Sequence, residues 1–178
     1  MRSTLYLIRR LAPADAAAFL ELRLFALRES PSAFGSSYEE ECDMSADTVA
    51  TSLAPGSGRN TFGAFYEDQL VGVVGVARAT RLKERHKASI RSMYVAPAHR
   101  IHGTGRQLLR EAVAFAESQP GIRQITLSVT GGNAAAIALY QSFGFKPFGV
   151  EPGSLLVDGE LFDEIQMMRL AAATQAST

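Results

Sequence analysis

The sequence is poor in the features that mark secreted, membrane-bound or nucleic-acid-binding proteins. Its single cysteine, Cys42, cannot form an internal disulfide, which is typical of a reducing compartment. Eighteen lysines and arginines balance eighteen aspartates and glutamates, so no charge excess favours nucleic acid or a membrane surface as a partner. No stretch reaches the roughly 18 consecutive apolar residues of a membrane span. The N-terminal segment MRSTLYLIRR lacks the apolar core of a signal peptide, so the predicted location is the cytoplasm.

Motifs of several catalytic classes are missing as well. The sequence has no Gly-Lys-Ser or Gly-Lys-Thr for a nucleotide P-loop, and no G-x-G-x-x-G on its first strand for a dinucleotide. It has no G-x-S-x-G elbow and no Ser-His-Asp arrangement, which leaves a hydrolase or an unrelated α/β binding module without support. His, Cys and acidic residues do not group at ligand spacing, so we predict no metal.

The sequence does contain the material for one globular domain. Its 178 residues suit a single domain, and 47% hydrophobic with 20% charged residues is ordinary for a protein that folds without disulfides or metals. We assign residues 1–170 to this domain. Residues 171–178, AAATQAST, are small and polar and are predicted to form a disordered tail.

Apolar periodicity predicts a mixture of strands and helices. A first helix opens at Pro13 and ends before Pro31, and its predicted apolar face consists of Ala17, Leu20, Leu24 and Leu27. Further helices are predicted at about 45–54, at 104–118 and ending at 142. Strands are predicted at about 5–9, 61–66, 70–79, 88–95, 125–129, 145–150 and 161–170. This mixture implies an α/β layer whose sheet is partly antiparallel.

The stretch from Val95 to Arg106 carries the strongest chemical signal. A strand ends, the chain turns, and Gly103 and Gly105 lead into a helix. Glycines let the backbone approach a ligand with its N–H groups turned inward, and a helix N-terminus adds unpaired N–H groups and partial positive charge. With Arg100 and Arg106 on either side, the pattern favours a phosphate cradle. For the glycine pair alone, an ordinary strand-to-helix turn with a glycine cap is the alternative.

Two motifs together resemble those of the GNAT superfamily of acyl-CoA-dependent N-acetyltransferases. Arg100-x-x-Gly103-x-Gly105, after a strand ending in Val-x-Pro, is similar to the superfamily's pyrophosphate-binding motif. The second motif, from Asn133 to Phe145, reads NAAAIALYQSFGF. The resemblance covers roughly residues 5–170 and implies a single-domain GNAT-like fold, with a mixed central sheet of about six to seven strands and helices on both faces.

The resemblance also implies acetyl-CoA as co-substrate, with no metal, and an amine as acceptor. Backbone N–H groups would hold the pyrophosphate at Arg100, Ile101, His102, Gly103, Thr104, Gly105 and Arg106. The pantetheine arm would enter where strands 88–95 and 123–129 splay apart, often at a bulge, along Met93, Tyr94 and Val95. Asn133 and Ala136 would complete its site. Ile101 departs from the superfamily pattern, in which glycine is common at that position, and His102 and Thr104 depart as well.

Tyr140 is the catalytic acid that the resemblance implies. It lies seven residues after Asn133, close to two helical turns, so both residues share a helix face. A tyrosine, with a pKa of about 10, would return a proton to the leaving thiolate, and a backbone N–H would stabilise the oxyanion. A buried structural tyrosine is the alternative. The general base stays open, because strand 88–95 has no carboxylate, and the candidates are Glu39, Glu40, Glu41, Asp163, Glu164 and His86.

The acceptor site is predicted on the loops at 30–44 and 150–163. Candidate substrate residues are Phe34, Tyr38, Glu41 and Arg91, and Arg91 would contact an acidic part of the substrate or pair with a strand neighbour. The acidic run at 39–41 mildly favours a cationic acceptor. The predicted function is transfer of an acetyl group from acetyl-CoA to a primary amine of a small molecule or a protein by direct attack, in a monomer or homodimer. A non-catalytic acyl-CoA-binding or sensing domain is the alternative.

Overall fold

Residues 6–56 and 58–171 are described by a computed structural model. Leu5, which was predicted to begin the first strand, and residues 172–178 of the predicted tail lie outside the described residues. The strands are β1 (Leu7–Arg10), β2 (Arg59–Tyr66), β3 (Gln69–Arg78), β4 (Lys87–Val95), β5 (Gln124–Thr130), β6 (Lys146–Val157) and β7 (Glu160–Leu170). The α-helices are α1 (Ala16–Glu29), α2 (Tyr38–Glu41), α3 (Ala46–Leu53), α4 (Thr104–Ser118) and α5 (Ala134–Ser142).

The β2–β3 hairpin supplies the inner part of the sheet. Its turn residues Glu67 and Asp68 have φ values of 47° and 66°, which give the turn the twist that two-residue hairpins favour. β3 is buried along most of its length, as its uninterrupted apolar run predicts for an interior strand. The predicted hairpin is therefore confirmed.

The described strands form one mixed sheet in the order β1-β2-β3-β4-β5-β7-β6. Neighbours are antiparallel except β4 and β5, which run parallel. The pairing of β4 with β5 is short, since it extends only from Lys87 and Gln124 to Ser89 and Thr126. Beyond these residues the two strands no longer pair, and this divergence positions the site described below.

Helices cover both faces of the sheet, as predicted. α4 and α5 pack on one face, where α4 buries Leu108, Leu109, Ala112, Val113 and Ala116. α1 and α3 pack on the other face, in a cluster that includes Leu70, Val73 and Tyr94. No helix in the described ranges combines the length and the hydropathy that a membrane crossing requires.

The predicted apolar face of α1 is wrong in part. Ala17 is exposed, and Leu20 and Leu24 are only partly buried. The buried residues of the helix are Ala16, Leu22, Ala26 and Leu27. Because α1 is apolar nearly all round, its sequence does not fix its rotation, and packing against α3 and β3 decides which side is buried.

The stretch 150–163, where we predicted a loop of the acceptor site, is a β-hairpin instead. β6 continues to Val157 and β7 begins at Glu160, which leaves Asp158 and Gly159 in the turn. Both turn residues have positive φ, at 50° and 82°, and Asp-Gly is a strong signal for a two-residue hairpin. Two register shifts in the β6–β7 ladder break the alternation that would reveal the strand in the sequence.

Candidate active site

A cleft of about 600 Å³ opens where β4 and β5 part, and we call it the strand-gap cleft. Its walls are the second half of β4, the end of β5, the turn before α4 and one side of α5. The predicted binding residues that line it are Met93, Tyr94, Val95, Arg100, Ile101, Gly103, Gly105, Arg106, Asn133, Ala136 and Tyr140. The structure thus brings most of the predicted set to one place.

β4 carries a bulge at this cleft. Gly75 of β3 is paired with Arg91 and Val73 with Tyr94, so two steps along β3 span three along β4. The irregular residue is Ser92, whose φ of 51° lies in the left-handed region. A bulge interrupts the ladder and leaves one residue unpaired, which makes backbone groups of this segment available to a ligand in the gap.

The turn from residue 101 to residue 106 presents a row of free backbone donors. No well-formed hydrogen bond within the described residues uses the N–H groups of this turn, as expected where an α-helix begins. Gly103 is the N-cap of α4 with a left-handed φ of 78°, and a Cβ added to it would meet no atom within 4 Å. Free N–H groups and the positive end of a helix dipole are the features with which helix N-termini bind anions.

Ile101 adopts the left-handed conformation that glycine adopts without strain. Its φ is 61°, in a region that costs a residue with a Cβ about 1–2 kcal/mol. The side chain projects fully into solvent. The turn therefore keeps its shape at this position without glycine, at a cost in backbone strain.

Arg100 lines the cleft, but its donors are already engaged. Its backbone N–H is donated to the carbonyl of Pro97 (3.2 Å), and its Nε to the carbonyl of Val95 (2.9 Å). A terminal nitrogen binds the carboxylate of Glu29 (2.7 Å), which also accepts the hydroxyl of Tyr94 (2.9 Å). The predicted row of available N–H groups therefore begins at Ile101 instead of Arg100. The side chain of Arg100 connects the turn to the end of α1 through Glu29.

Glu29 is the charge partner that sequence reasoning missed. Its pKa is lowered mainly by the hydrogen bond from Arg100. Burial and the hydrogen bond to Glu29 raise the pKa of Tyr94 to about 12. The carboxylate stays ionised and the phenol neutral near pH 7, so the network holds across the physiological range. Its partners lie 65 and 71 residues away along the chain, and no local pattern marks such a pairing.

Two predicted loop residues do not line the cleft. The side chain of Thr104 is buried beneath the turn, and His102 is exposed outside the lining. Arg106 stays at the rim, where it donates to the hydroxyl of Ser142 (3.1 Å). A Cβ added to Gly105 would stand 3.4 Å from Cε of Met93, which is an ordinary van der Waals contact, so the space at this position does not require glycine.

α5 contributes a cap and a tyrosine to the opposite wall. Oδ1 of Asn133 accepts the N–H of Ala136 (3.1 Å), which leaves the amide nitrogen of Asn133 for a ligand. Tyr140 is buried, with its hydroxyl 3.6 Å from Sδ of Met93. Its hydroxyl therefore lies beside the bulge of β4. Burial raises the pKa of Tyr140 to about 12.

A second cleft, of about 440 Å³, lies against the same strand gap, and we call it the polar cleft. Its further walls come from α1, the segment 33–36 and β7. The residues that line both clefts are Ala33, Ile90, Arg91, Ser92, Leu127 and Ser128. The two clefts therefore meet at the gap between β4 and β5.

Glu164 is the one predicted base among the described residues that lines either cleft. Its Oε2 accepts the hydroxyl of Ser154 (2.8 Å). Asp163 instead accepts a backbone N–H of the β6–β7 hairpin (2.8 Å), and Glu40 caps α2 (2.7 Å). The candidates that line neither cleft are Glu39, Glu40, Glu41, Asp163 and His86.

The predicted substrate residues divide into two pairs. Phe34 and Arg91 line the polar cleft, whereas Tyr38 and Glu41 do not. Both oxygens of Glu41 are bound by Arg23 (2.8 Å each), and the ring of Tyr38 packs against an arginine of α1 (3.7 Å). Hydrogen bonds within the fold therefore engage two of the three carboxylates at 39–41, and the expectation of a cationic acceptor loses its basis.

The sequence of this chain matches the model of one protein family. A model described as the acetyltransferase (GNAT) family matches residues 23–145, more than half of the chain. The chain belongs to the GNAT family. The resemblance drawn from the two sequence motifs is confirmed.

Curated relatives of this GNAT protein match a central part of it. N-acetyltransferase family 8 member 3 of Rattus norvegicus is 38% identical over 82 residues, 46% of this chain and 36% of the relative. N-alpha-acetyltransferase RimI of Mycobacterium tuberculosis is 37% identical over 90 residues, 51% of this chain and 54% of the relative. The matches thus span about a third to a half of these relatives.

Solved GNAT structures share the whole fold. An acetyltransferase of the GNAT family from Streptococcus pneumoniae has a TM-score of 0.84 at 24% identity, over 94% of this chain and 100% of that one. A phosphinothricin acetyltransferase from Sinorhizobium meliloti, solved with acetyl-CoA, has a TM-score of 0.80 at 22% identity, over 97% and 92%. The predicted fold class is confirmed.

Proposed function

We propose that this GNAT protein is an acetyl-CoA-dependent N-acetyltransferase that acetylates a primary amine of a small molecule or a protein by direct attack. The observation that carries the proposal is the strand gap. β4 and β5 stop pairing after three residues, beside a turn with free backbone N–H groups. Unpaired strand edges in a sheet interior need partners, and an extended, amide-bearing molecule with a diphosphate at one end supplies them. Coenzyme A has this chemistry.

The described residues fit such a ligand. The N–H groups of 101–106 and the start of α4 suit a diphosphate, and Arg106 adds charge at the rim. The backbone at the β4 bulge and the free amide nitrogen of Asn133 suit the amides of the arm. Bound there, acetyl-CoA supplies the activated acetyl group.

The acceptor enters through the polar cleft in this proposal. An amine attacks only when neutral, and a lysine-like amine has a pKa of about 10.4, so a base is needed near pH 7. We assign the acceptance of that proton, directly or through water, to Glu164, the described carboxylate that lines this cleft. Its partner, the hydroxyl of Ser154, leaves the other oxygen available.

Tyr140 is assigned the role of donor to the leaving sulfur, on the opposite side of the gap from Glu164. Its raised pKa of about 12 keeps the hydroxyl protonated throughout the neutral range. Because a thiol has a pKa of about 8.5, the equilibrium leaves the proton on Tyr140, so the tyrosine stabilises the departing thiolate as a hydrogen-bond donor, and solvent supplies the proton of the free thiol. Activity should show no loss through ionisation of Tyr140 until the pH approaches 12.

The proposal extends to the location and the assembly of the protein. A cytoplasmic location and a monomeric or homodimeric assembly follow from the composition and the resemblance. No three His, Cys, Asp or Glu side chains of residues 6–56 and 58–171 gather at metal-ligand distance, and the proposed reaction needs no metal.

The test combines binding with turnover. Calorimetry measures coenzyme A affinity, and thiol release from acetyl-CoA is followed with a panel of amines. Tyr140→Phe should lower kcat about 100-fold with coenzyme A affinity unchanged. Tyr38→Phe, which removes a hydroxyl outside both clefts, is the matched control and should behave as wild type.

Three outcomes would count against parts of the proposal. Full activity of Tyr140→Phe removes the tyrosine from its role. Coenzyme A binding without acetylation of any amine indicates the non-catalytic acyl-CoA-binding domain instead. Absence of coenzyme A binding overturns the whole assignment.

A further inference from the structure

The polar cleft contains a cation with no carboxylate partner. Arg91 is exposed on β4, and its Nε is donated to the hydroxyl of Ser89 (3.0 Å). Among the described residues no carboxylate forms an ion pair with it. A guanidinium has five N–H donors in a planar fork, so those on its terminal nitrogens remain for a ligand. The fork matches the two oxygens of a carboxylate or a phosphonate.

The other charged groups near this cleft do not neutralise the positive charge of Arg91. Arg23 and Glu41 neutralise each other through two hydrogen bonds, with side chains 11% and 15% exposed. Glu40 is bound to a backbone N–H of its own helix cap. Glu164 is thus the one described carboxylate in the cleft lining, and it belongs to β7.

Arg91 and Glu164 lie on different walls of the cleft. The sheet order places β5 between β4 and β7, so their backbones are separated by at least two strand spacings, about 10 Å. Both side chains are long enough to reach inward from their strands. A cation on one wall and an anion on the other make a site that is complementary to a small zwitterion.

We propose that the acceptor is a small amine that carries a carboxylate or a similar oxyanion a few bonds from its nitrogen, as an amino acid does. Arg91 binds the oxyanion, and Glu164 receives the ammonium group and then its proton. The nitrogen is thereby directed to the gap, where Arg91 and its neighbour Ser92 line both clefts. This inference rests on the proposed acetyltransferase function and names its substrate class.

The experiment compares acceptors that differ only in the anion. Free amino acids and their carboxamides with the same side chain are assayed by thiol release from acetyl-CoA, with a polyamine as the opposite charge class. A carboxamide's α-amine is less basic, so more of it is neutral at a given pH, and intrinsic reactivity favours the carboxamide. Wild type should nevertheless show a kcat/KM at least about tenfold higher for the amino acid.

Variants connect this preference to Arg91. Arg91→Gln should abolish the preference for the amino acid or reverse it, because intrinsic reactivity then favours the carboxamide, and Arg91→Lys should restore part of the preference because it keeps the charge. Arg110→Gln, an exposed arginine of α4 away from both clefts, is the control and should keep the full preference. Thermal unfolding of each variant checks that the fold is intact.

Each outcome decides a different question. A preference for carboxamides or for the polyamine overturns the inference and leaves the acetyltransferase standing. An amino-acid preference that persists in folded Arg91→Gln also overturns it. Coenzyme A binding with no acceptor acetylated overturns it in favour of the non-catalytic domain, and failure to bind coenzyme A overturns the proposed function with it.

Discussion

The two clefts meet at one gap but are built by different means. The strand-gap cleft is made largely of backbone: free N–H groups at 101–106, the bulge at Ser92, and unpaired strand edges. The polar cleft takes its character from charged side chains, chiefly Arg91 and Glu164. A backbone site depends on conformation and can be shared by many sequences. The specificity of a site made of side chains changes with single substitutions, so the same fold can bind different acceptors in its polar cleft.

Within this comparison of the two clefts, the largest effect is expected from removing the negative charge of Glu164 in the polar cleft. Glu164→Gln keeps the size of the side chain but cannot accept the amine's proton. We expect kcat to fall about 100-fold, within the range for general bases, while coenzyme A affinity is unchanged. Steady-state thiol release and calorimetry measure the two quantities separately.

The matched control for that substitution is on the same strand. Glu160→Gln removes an exposed carboxylate at the start of β7, outside both clefts, and should leave kcat unchanged. Equal losses in both variants would mean that the effect belongs to the hairpin as a whole. Unchanged turnover in Glu164→Gln would point to water or to the substrate's own group as the base.

A smaller effect is expected from straining the backbone of the strand-gap cleft. Gly103→Ala puts a Cβ on a residue with φ 78°, at a cost of about 1–2 kcal/mol. If the turn relaxes to avoid this cost, the N–H row loses its alignment, and we expect about tenfold weaker coenzyme A binding. Calorimetry against coenzyme A makes the measurement.

Gly159→Ala separates strain from function. Gly159 has φ 82° in the β6–β7 turn and, like Gly103, has no atom within 4 Å of an added Cβ. Both variants should lose a similar free energy of unfolding, but Gly159→Ala should bind coenzyme A as wild type does. Weaker coenzyme A binding in the hairpin variant would show that affinity follows global stability rather than the shape of the turn.

The parts of the molecule that were predictable from the sequence are those with local causes. The stripe of α4 repeats at the helical period, and the β2–β3 hairpin follows from two apolar runs with a short polar turn. Gly103 marks the turn before α4 because few other residues allow its left-handed backbone, with a φ of 78°. These signals lie within a few residues of one another, so one sequence suffices to find them.

What was missed depends on contacts between distant segments. The pairing of Arg100 with Glu29 joins residues 71 apart, so the sequence did not show that the guanidinium of Arg100 already has a carboxylate partner within the fold. The neutralisation of Glu41 by Arg23 likewise required the packing of α2 on α1. A charge run in a sequence shows which groups are present, but only the fold shows which of them are already paired.

The smallest expected effect tests whether the backbone site is independent of its side chains. Ile101 has φ 61°, so Ile101→Gly should release about 1–2 kcal/mol of strain. The greater freedom of glycine in the unfolded chain takes back about 0.4–1 kcal/mol. The net gain of about 0.5 kcal/mol corresponds to a rise in Tm of about 1–2 °C for a domain of this size. Because the turn already has the required shape, coenzyme A affinity should not change.

Scanning calorimetry measures the stability, and Ile101→Ala, which keeps a Cβ in the left-handed region, should gain less stability than the glycine variant. A loss of coenzyme A affinity in Ile101→Gly would mean that the exposed side chain of Ile101 contacts the ligand. At this position the strand-gap cleft would then bind through a side chain, as the polar cleft is proposed to do.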